Sequence, residues 1–410
     1  MSGASHDPLV AARRLEIARA AASRHGHPAQ KLRTVAVTGT NGKTTTVNIL
    51  RAVLDDGVGP AASIGTLGVR RGREGTVVPG GLGLTTPGPD ELQRVLADLV
   101  NSGVRTVAME VSSHALDQHR VHGVTFDSAV FTNITRDHLD YHGTMEEYFA
   151  AKAKLVSYIK TTGCAVVNAD QPEWLSLPRA PRLLTFGTDR GDVRAEEITF
   201  TADGSTWILR NGEESAEVRL PLVGDFNVMN GLAAATAALS MGIPLSVIAR
   251  SLSTIPQVPG RLERIADSPV VIRDYAHTPD ALIRSLAALR PFVQGRIILV
   301  FGAGGDRDPG KRPIMGAAAE AGADVVFVTS DNPRTERPDS IIDEIEAGMS
   351  GSHHRVTDRR EAIAQAINEA RPGDTVLLAG KGHETYQVIG TEKLPFDERI
   401  VVAEIMGLQI

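Results

Sequence analysis

Short apolar runs alternate along this chain with longer stretches whose apolar residues return every three or four positions. That is the pattern of strands followed by helices in an α/β protein. Val35-Ala36-Val37 predicts a buried strand, and residues 44–54 the helix behind it. Further strands are predicted at Thr106-Val107-Ala108-Met109, ending at Glu110, and at Ser128-Ala129-Val130-Phe131, ending near Asn133. Ala165-Val166-Val167 adds a fourth. Strands that end in polar residues suit a sheet whose ligands lie beyond its carboxyl edge. Residues 195–220 alternate more strictly and contain Asp203-Gly204 and Asn211-Gly212, so antiparallel hairpins at a sheet edge are expected there.

Ile255-Pro256-Gln257-Val258-Pro259-Gly260 reads as a linker, after which the alternation restarts. Its strands are Val270-Val271-Ile272, Ile297-Ile298-Leu299-Val300, Val325-Val326-Phe327-Val328 and Thr375-Val376-Leu377-Leu378, with Ala- and Leu-rich helices between them. Ahead of the first strand, Asp7 is a good N-cap with Pro8 at the first helical position. Val10, Leu15 and Ile17 predict the apolar stripe of that helix, and Gly26 its end. The boundaries drawn are 1–32 for a helix and connector, 33–257 for a central α/β domain and 258–410 for a second one.

Composition narrows the class. The 410 residues are 42% apolar and 22% charged, which excludes wholesale disorder and allows several cores. A net charge of −6 leaves no electrostatic footprint for nucleic acid. Cys164 is the only cysteine, so intrachain disulfides and multi-cysteine metal sites are excluded, and its place at the start of an apolar strand predicts a buried, inert thiol. No apolar run reaches membrane-spanning length and the start is polar, so a soluble, cytoplasmic protein with no membrane partner is expected. Oligomeric state is not legible.

Chemistry enters at Gly39-Thr40-Asn41-Gly42-Lys43-Thr44-Thr45, which follows a strand and opens a helix. Glycines let backbone N–H groups curl round phosphate oxygens, and the helix start adds positive potential. Lys43 would reach the β- and γ-phosphates, and a threonine hydroxyl would hold magnesium. Val37 stands where the longer phosphate-loop pattern has another glycine. Glu110, at a strand end, is the natural carboxylate for magnesium, bound directly or through a ligand of the metal. His138, in the run from Thr132 to His142, gains meaning beside a carboxylate and a phosphate loop, because metals that bridge phosphates need such partners.

This combination resembles the Mur ligase family, ATP-dependent enzymes that build the peptide stem of peptidoglycan. The likeness is greatest to the MurE branch, which adds the third residue. It runs from about Thr34 to Asp397 and includes Thr85-Thr86-Pro87, the run from Glu110 to Leu116, the run from Asn133 to His142, and Lys152 after Tyr148-Phe149. Further on it takes in Gly224-Asp225-Phe226-Asn227-Val228-Met229-Asn230, Pro259-Gly260-Arg261, the run from Asp274 to Asp280, the run from Gly302 to Asp308 and Gly310-Lys311-Arg312-Pro313. The resemblance implies a P-loop-type central ATPase domain followed by a Rossmann-like C-terminal domain that binds an amino acid. It also implies ATP and Mg2+, and an acceptor carboxylate that is activated as an acyl phosphate before an amine attacks it.

By that resemblance Lys43, Glu110, His138, Lys152 and His277 are the catalytic set. Thr45 and Glu110 are assigned to a first magnesium, and His138 with a carbamylated Lys152 to a second. Gly39, Thr40, Asn41, Gly42, Thr44, Asn133, Asn227, Asn230, Arg261, Lys311 and Arg312 are expected around the nucleotide. A site shared by two domains would exclude water from the acyl phosphate.

Asp331-Asn332-Pro333-Arg334 resembles the motif of enzymes that add meso-diaminopimelate. Arg334 offers a planar fork for a distal carboxylate that lysine lacks. Gly380, Glu384 and Arg307 match further contacts of that amino acid. Thr85, Thr86, Ser112, Ser113 and Arg120 match contacts of the muramoyl peptide. Complete members of the branch carry an N-terminal domain for UDP, whereas only residues 1–32 precede the first expected strand here. Three readings follow: weaker use of the ordinary acceptor, a UDP-free acceptor in recycling or specialised metabolism, or a separate chain that supplies the UDP-binding domain. A folylpolyglutamate-synthetase-like ligase and a non-catalytic ATP-binding subunit are the remaining alternatives.

Overall fold

The computed structural model describes residues 7–81 and 83–409. The chain forms two compact units. The first runs to Pro256 apart from 201–203 and 222–224; the second comprises those short pieces and everything from Gln257. The helix ahead of the first strand, α1 (Pro8–Arg24), is part of the first unit.

In the first unit the strands are β1 (Arg33–Thr38), β2 (Ala61–Gly65), β3 (Gly68–Arg71), β4 (Thr76–Val78), β5 (Thr106–Glu110) and β6 (Phe126–Phe131). They continue as β7 (Ile159–Asn168), β8 (Leu183–Gly187), β9 (Val193–Thr201), β10 (Gly204–Asn211) and β11 (Glu214–Leu220). One sheet holds them in the order β11-β10-β9-β8-β7-β6-β1-β5-β2-β3-β4. Its parallel centre puts β1 between β5 and β6, with Val37 level with Glu110 and Thr38 level with Phe131. Chain order reverses about β1, so the loop after it opens at a switch point, where α/β sheets bind ligands. The expected edge hairpin is present as antiparallel β10 and β11.

Both faces of that centre are covered, which is why its strands are apolar throughout. Ala36, Val107, Met109, Ala129 and Phe131 pack with Leu92, Val95, Leu96 and Leu99 of α3 (Pro89–Asn101). The other face carries α2 (Lys43–Val58) and α7 (Asp225–Ser240), which pack on each other. Short helices α4 (Ser113–Asp117), α5 (Leu139–His142) and α6 (Met145–Ala153) follow β5 and β6, and α8 (Leu245–Leu252) packs on β11. Cys164 is buried in β7, and burial raises its pKa.

Helix α1 is capped by Asp7, which accepts from Leu9 N at 2.9 Å, as expected. Its buried face differs from the expected one. Ala18, Ala21 and Ala22 are buried, whereas Ile17 is 51% exposed. The helix lies so close to α3 that small residues fit where branched ones would not.

In the second unit a sheet of order β12-β13-β17-β14-β15-β16 combines β12 (Glu263–Asp267), β13 (Val270–Asp274), β14 (Ile297–Phe301), β15 (Val325–Val328), β16 (His354–Arg355) and β17 (Thr375–Ala379). All pairs are parallel except β12 with β13. Helices α9 (Pro279–Leu289), α10 (Lys311–Gly322), α11 (Pro338–Glu346), α12 (Arg359–Glu369) and α13 (Glu398–Met406) accompany it, with a hairpin of β18 (Tyr386–Ile389) and β19 (Glu392–Pro395). A fully buried ion pair, Arg359 Nη2 to Glu398 Oε1 at 2.7 Å, ties α12 to α13, and Arg359 also donates to Ala379 O at 2.9 Å. Among the described residues no helix is long and apolar enough to cross a membrane.

Candidate active site

The loop between β1 and α2 is shaped by what its glycines allow. Gly42 has φ +84°, and a Cβ there would run into the buried Asn230 amide; at Gly39, φ +150°, it would run into the Thr132 hydroxyl. Side chains from the end of β6 hold the loop from outside. Asn41 N donates to Asn133 Oδ1 at 2.8 Å, and Thr132 Oγ1 donates to Asn41 O at 2.8 Å. Thr40 N donates to Asn133 O at 2.8 Å, and its hydroxyl shares a hydrogen bond with Tyr148 OH at 3.1 Å. Asn230 Nδ2 donates to Asn227 Oδ1 at 3.0 Å. Asn133 and Asn230 thus brace the loop, and Asn227 holds Asn230.

Two lysines converge on one carbonyl. Gly39 O accepts from Lys43 Nζ at 2.9 Å and from Lys152 Nζ at 2.8 Å. Lys152 is 1% exposed, with its Nζ 4.5 Å from the Tyr148 ring centre. Burial, reinforced by the charge of Lys43, pushes its pKa well below the usual lysine value. A buried amine in that state has the lone pair that reacts with carbon dioxide. Charge reversal there would turn a repelling ammonium into an oxygen donor.

Glu110 ends β5 and is 1% exposed. Its Oε2 accepts from Thr44 Oγ1 at 3.1 Å and Thr66 Oγ1 at 3.2 Å, and its Oε1 from Thr66 N at 2.8 Å. The expected Thr45 therefore needs correcting. Thr44 carries the hydroxyl that meets Glu110, because each helical step turns the side chain by roughly 100°. One carboxylate and two hydroxyls make a hard-oxygen set that suits magnesium, which keeps water and phosphate oxygens for its remaining positions. Among the described residues no three His, Cys, Asp or Glu side chains form a metal cage. His138 has φ 53° and packs edge-on to His114 at 4.9 Å. Burial, with the charge of Lys43 and against that of Asp137, lowers its pKa and favours the neutral, ligand-competent imidazole.

The residues matched to the acceptor divide. Thr86 is fully buried; its hydroxyl donates to Glu110 O at 2.9 Å and accepts from Ser112 N at 3.1 Å. Ser113 is buried and hydrogen-bonded to His142 Nε2 at 2.9 Å. Both side chains brace the segment that follows β5. Thr85, Ser112 and Arg120 stay at the rim, and Arg120 Nη1 donates to Thr86 O at 3.1 Å. Arg14 of α1, which sequence reasoning passed over, has a buried Nη1 without a hydrogen-bond partner, and its charge acts on Arg120 and Tyr141.

In the second unit the residues matched to the amine gather beyond the ends of β15 and β17. Asp331 and Asn332 are buried, and Asn332 Nδ2 donates to Glu384 Oε2 at 2.8 Å. Gly380 has φ +114°, and its N donates to Asp274 O at 3.0 Å. Arg334 Nη1 donates to Gly305 O at 2.6 Å, and exposed Arg307 lies beside the same glycine turn. Lys381, absent from the expected site, is fully buried among these groups. Close to the same loop, Lys311 Nζ donates to His277 O at 2.7 Å, and the Arg261 guanidinium lies 4.9 Å over the ring of Tyr275, which packs against His383.

Arg312, expected around the nucleotide, is engaged by carboxylates in this structure. It is 1% exposed, and its Nη1 donates to Glu336 and Glu344, both at 2.8 Å. Its Nη2 donates to Glu336 at 2.9 Å and Gly304 O at 3.2 Å. With its planar fork engaged in this way, it is a buried clamp.

A phosphate loop on one α/β unit and a convergent polar site on a second suit an ATP-dependent ligase, the class to which the relatives point. Residues 37–238 match the Mur ligase middle domain and residues 260–382 the Mur ligase glutamate ligase domain. The UDP-N-acetylmuramoyl-L-alanyl-D-glutamate–2,6-diaminopimelate ligase of Thermosynechococcus vestitus is 47% identical over 392 residues, covering 93% of this chain and 78% of that one. Its counterpart in Geobacillus kaustophilus is 44% identical over 407 residues, covering 96% and 82%. A solved structure of an enzyme of that name is 38% identical, with TM-score 0.65 over 92% of this chain and 78% of the other. Mycobacterium tuberculosis folylpolyglutamate synthase shares the fold alone, at TM-score 0.72 and 18% identity, covering 89% and 92%. The chain belongs to the Mur ligase family.

Proposed function

We propose that this ligase joins an acceptor of the muramoyl-L-alanyl-D-glutamate class to meso-diaminopimelate in peptidoglycan stem synthesis. The observation that carries the reading is the assembly of Asp331, Asn332, Arg334 and Glu384 beyond β15 and β17, which pairs an acidic pocket with a guanidinium fork. A distal amino-acid centre bearing both ammonium and carboxylate matches that pair; lysine matches only half of it.

The acceptor carboxylate attacks the γ-phosphorus of ATP, the bond to the bridging oxygen breaks, and ADP leaves an acyl phosphate. The amine nitrogen then attacks the acyl carbon, loses a proton, and phosphate departs. The chain's contribution is positioning and charge neutralisation. Loop N–H groups and Lys43 bind the phosphates; Asn133 and Asn230 keep the loop in shape. Glu110, Thr44, His138 and carbamylated Lys152 would hold magnesium, which neutralises charge on the transferring phosphoryl group. Thr85, Ser112 and Arg120 orient the acceptor peptide. Arg261, His277 and Lys311 form the cationic and imidazole set of the second unit.

The test is phosphate release with ATP and magnesium over a grid of acceptors and amines, with products identified by mass. Acceptors are UDP-muramoyl-Ala-Glu and the same peptide without UDP; amines are meso-diaminopimelate, lysine and none. Diaminopimelate-dependent turnover, weakened far more than ATP binding by Arg334→Ala, supports the reading. Equal use of lysine by the parent overturns it. Turnover confined to the UDP-free peptide would move the acceptor class without touching the amine.

A further inference from the structure

Lys381 is the least accessible charged group of the second unit's polar loops, at 0% exposure. Its ammonium lies 3.4 Å from Asp331 Oδ1, 3.2 Å from Asn332 Oδ1 and 3.3 Å from Glu384 Oε2. Those partners come from separate loops, residues 331 and 332 after β15 and residue 384 after β17. Asn332 is fixed from both ends, donating to Glu384 and accepting from Val388 N at 2.8 Å. The Lys381 ammonium thus lies where the Asn332 amide already joins the two loops, and it is the cation at that junction.

It sets their charge. Buried Asp331 and half-buried Glu384 bring two carboxylates to one ammonium, and Lys381 cancels one, leaving a single net negative charge for an incoming ammonium. An isolated pair of buried carboxylates would repel each other and any carboxylate brought near them.

Resting on the amine reading above, we propose that Lys381 is a positioning residue that sets amine specificity. It holds Asp331, Asn332 and Glu384 at one charge below neutrality, so that an amino acid with a second ammonium and a second carboxylate is accepted. Without it the pocket carries one more negative charge, which repels the distal carboxylate of diaminopimelate. Lysine, with an ammonium alone at that end, is spared that repulsion. Loss of Lys381 thus shifts selectivity toward lysine as well as lowering affinity.

The experiment compares the full-length parent with Lys381→Met and Lys381→Gln. It measures kcat and KM for meso-diaminopimelate, lysine and ATP, together with melting temperature. Both variants are expected to raise the KM for diaminopimelate about tenfold or more, leave that for ATP unchanged, and move the lysine-to-diaminopimelate ratio of kcat/KM about tenfold toward lysine. If Lys381→Met does not fold, Lys381→Gln decides, since its amide still donates to the same oxygens without charge. A parental ratio, or an equal loss for both amines, overturns the proposal. If the parent uses some other amine, the diaminopimelate reading falls separately, and an unchanged KM for that amine in the glutamine variant overturns the role of Lys381.

Discussion

Gly65→Ala is a test of the phosphate site that touches no polar atom. Gly65 ends β2 and faces the Glu110 carboxyl; a Cβ there would lie 2.7 Å from Glu110 Cδ and Cγ and closer still to Oε1. Its backbone is one any residue can adopt, so the effect is steric alone. Glu110 must move, and the bonds at risk are those from Thr66 N at 2.8 Å and Thr44 Oγ1 at 3.1 Å. A hydrogen bond to a charged group contributes about 1.5–3 kcal/mol. Losing one equivalent in the transition state lowers turnover by about 10–150-fold. The assay is kcat/KM for ATP from phosphate release, with thermal melting to confirm the fold. Glu110→Asp, itself impaired, withdraws the carboxyl from the clash, so adding Gly65→Ala to it should cost no more than about threefold. Parental kcat/KM in Gly65→Ala, or an undiminished effect in the aspartate background, would refute the reasoning.

Three further outcomes follow from groups already described. Lys152→Ala should abolish ligation and regain part of it with formate or acetate, which can occupy the place of a carbamate; turnover at the parental rate excludes Lys152 from the metal set. Arg312→Met should lower stability by about 2–3 kcal/mol, less than a fully buried pair because Glu336 and Glu344 are partly exposed, and leave the KM for ATP alone. A raised KM at unchanged melting temperature would restore its nucleotide role. Burial, aided by the nearby His138, His142 and Arg120, holds His114 at about 4 against an ordinary 6.5. The unfolded chain therefore takes up a proton in that window that the folded chain does not, and stability falls as pH drops from 6.5 to 4. His114→Gln should flatten this stretch of the pH–stability curve; an identical slope in the variant sinks the assignment.

The strands and the phosphate loop were legible because their signals are local. An apolar run names a buried strand, and Gly39 to Lys43 name the turn that follows it. Glu110 and Asn133 were found because polar residues at strand ends face the switch point. What escaped depends on contacts between distant segments or on the rotation of a single helical step. Thr44 and Thr45 differ only by that rotation, and hydropathy does not resolve it. Arg312 sits in a basic motif, yet Glu336, just before α11, and Glu344, on α11, capture it. Gly65 has no chemistry of its own; its importance is the volume it leaves for Glu110. On α1, hydropathy singled out Leu15 and Ile17, whereas close approach selected Ala18, Ala21 and Ala22. Lys381 was not singled out because nothing local tells a lysine that two acidic loops will close over it.

The place of β17 bears on how the protein is made. It pairs with β13 on one side and β14 on the other, yet it is synthesised after both, with β15, β16 and four helices of the second unit coming before it. Until Thr375–Ala379 leaves the ribosome, two apolar strands wait with open edges toward each other. Their direct pairing would close the sheet one strand short. Native assembly keeps that place for β17, a non-local pairing of the kind that folds slowly. A chain interrupted before residue 375 would be missing the middle of its second sheet, and with it the loop that carries Gly380 and Lys381.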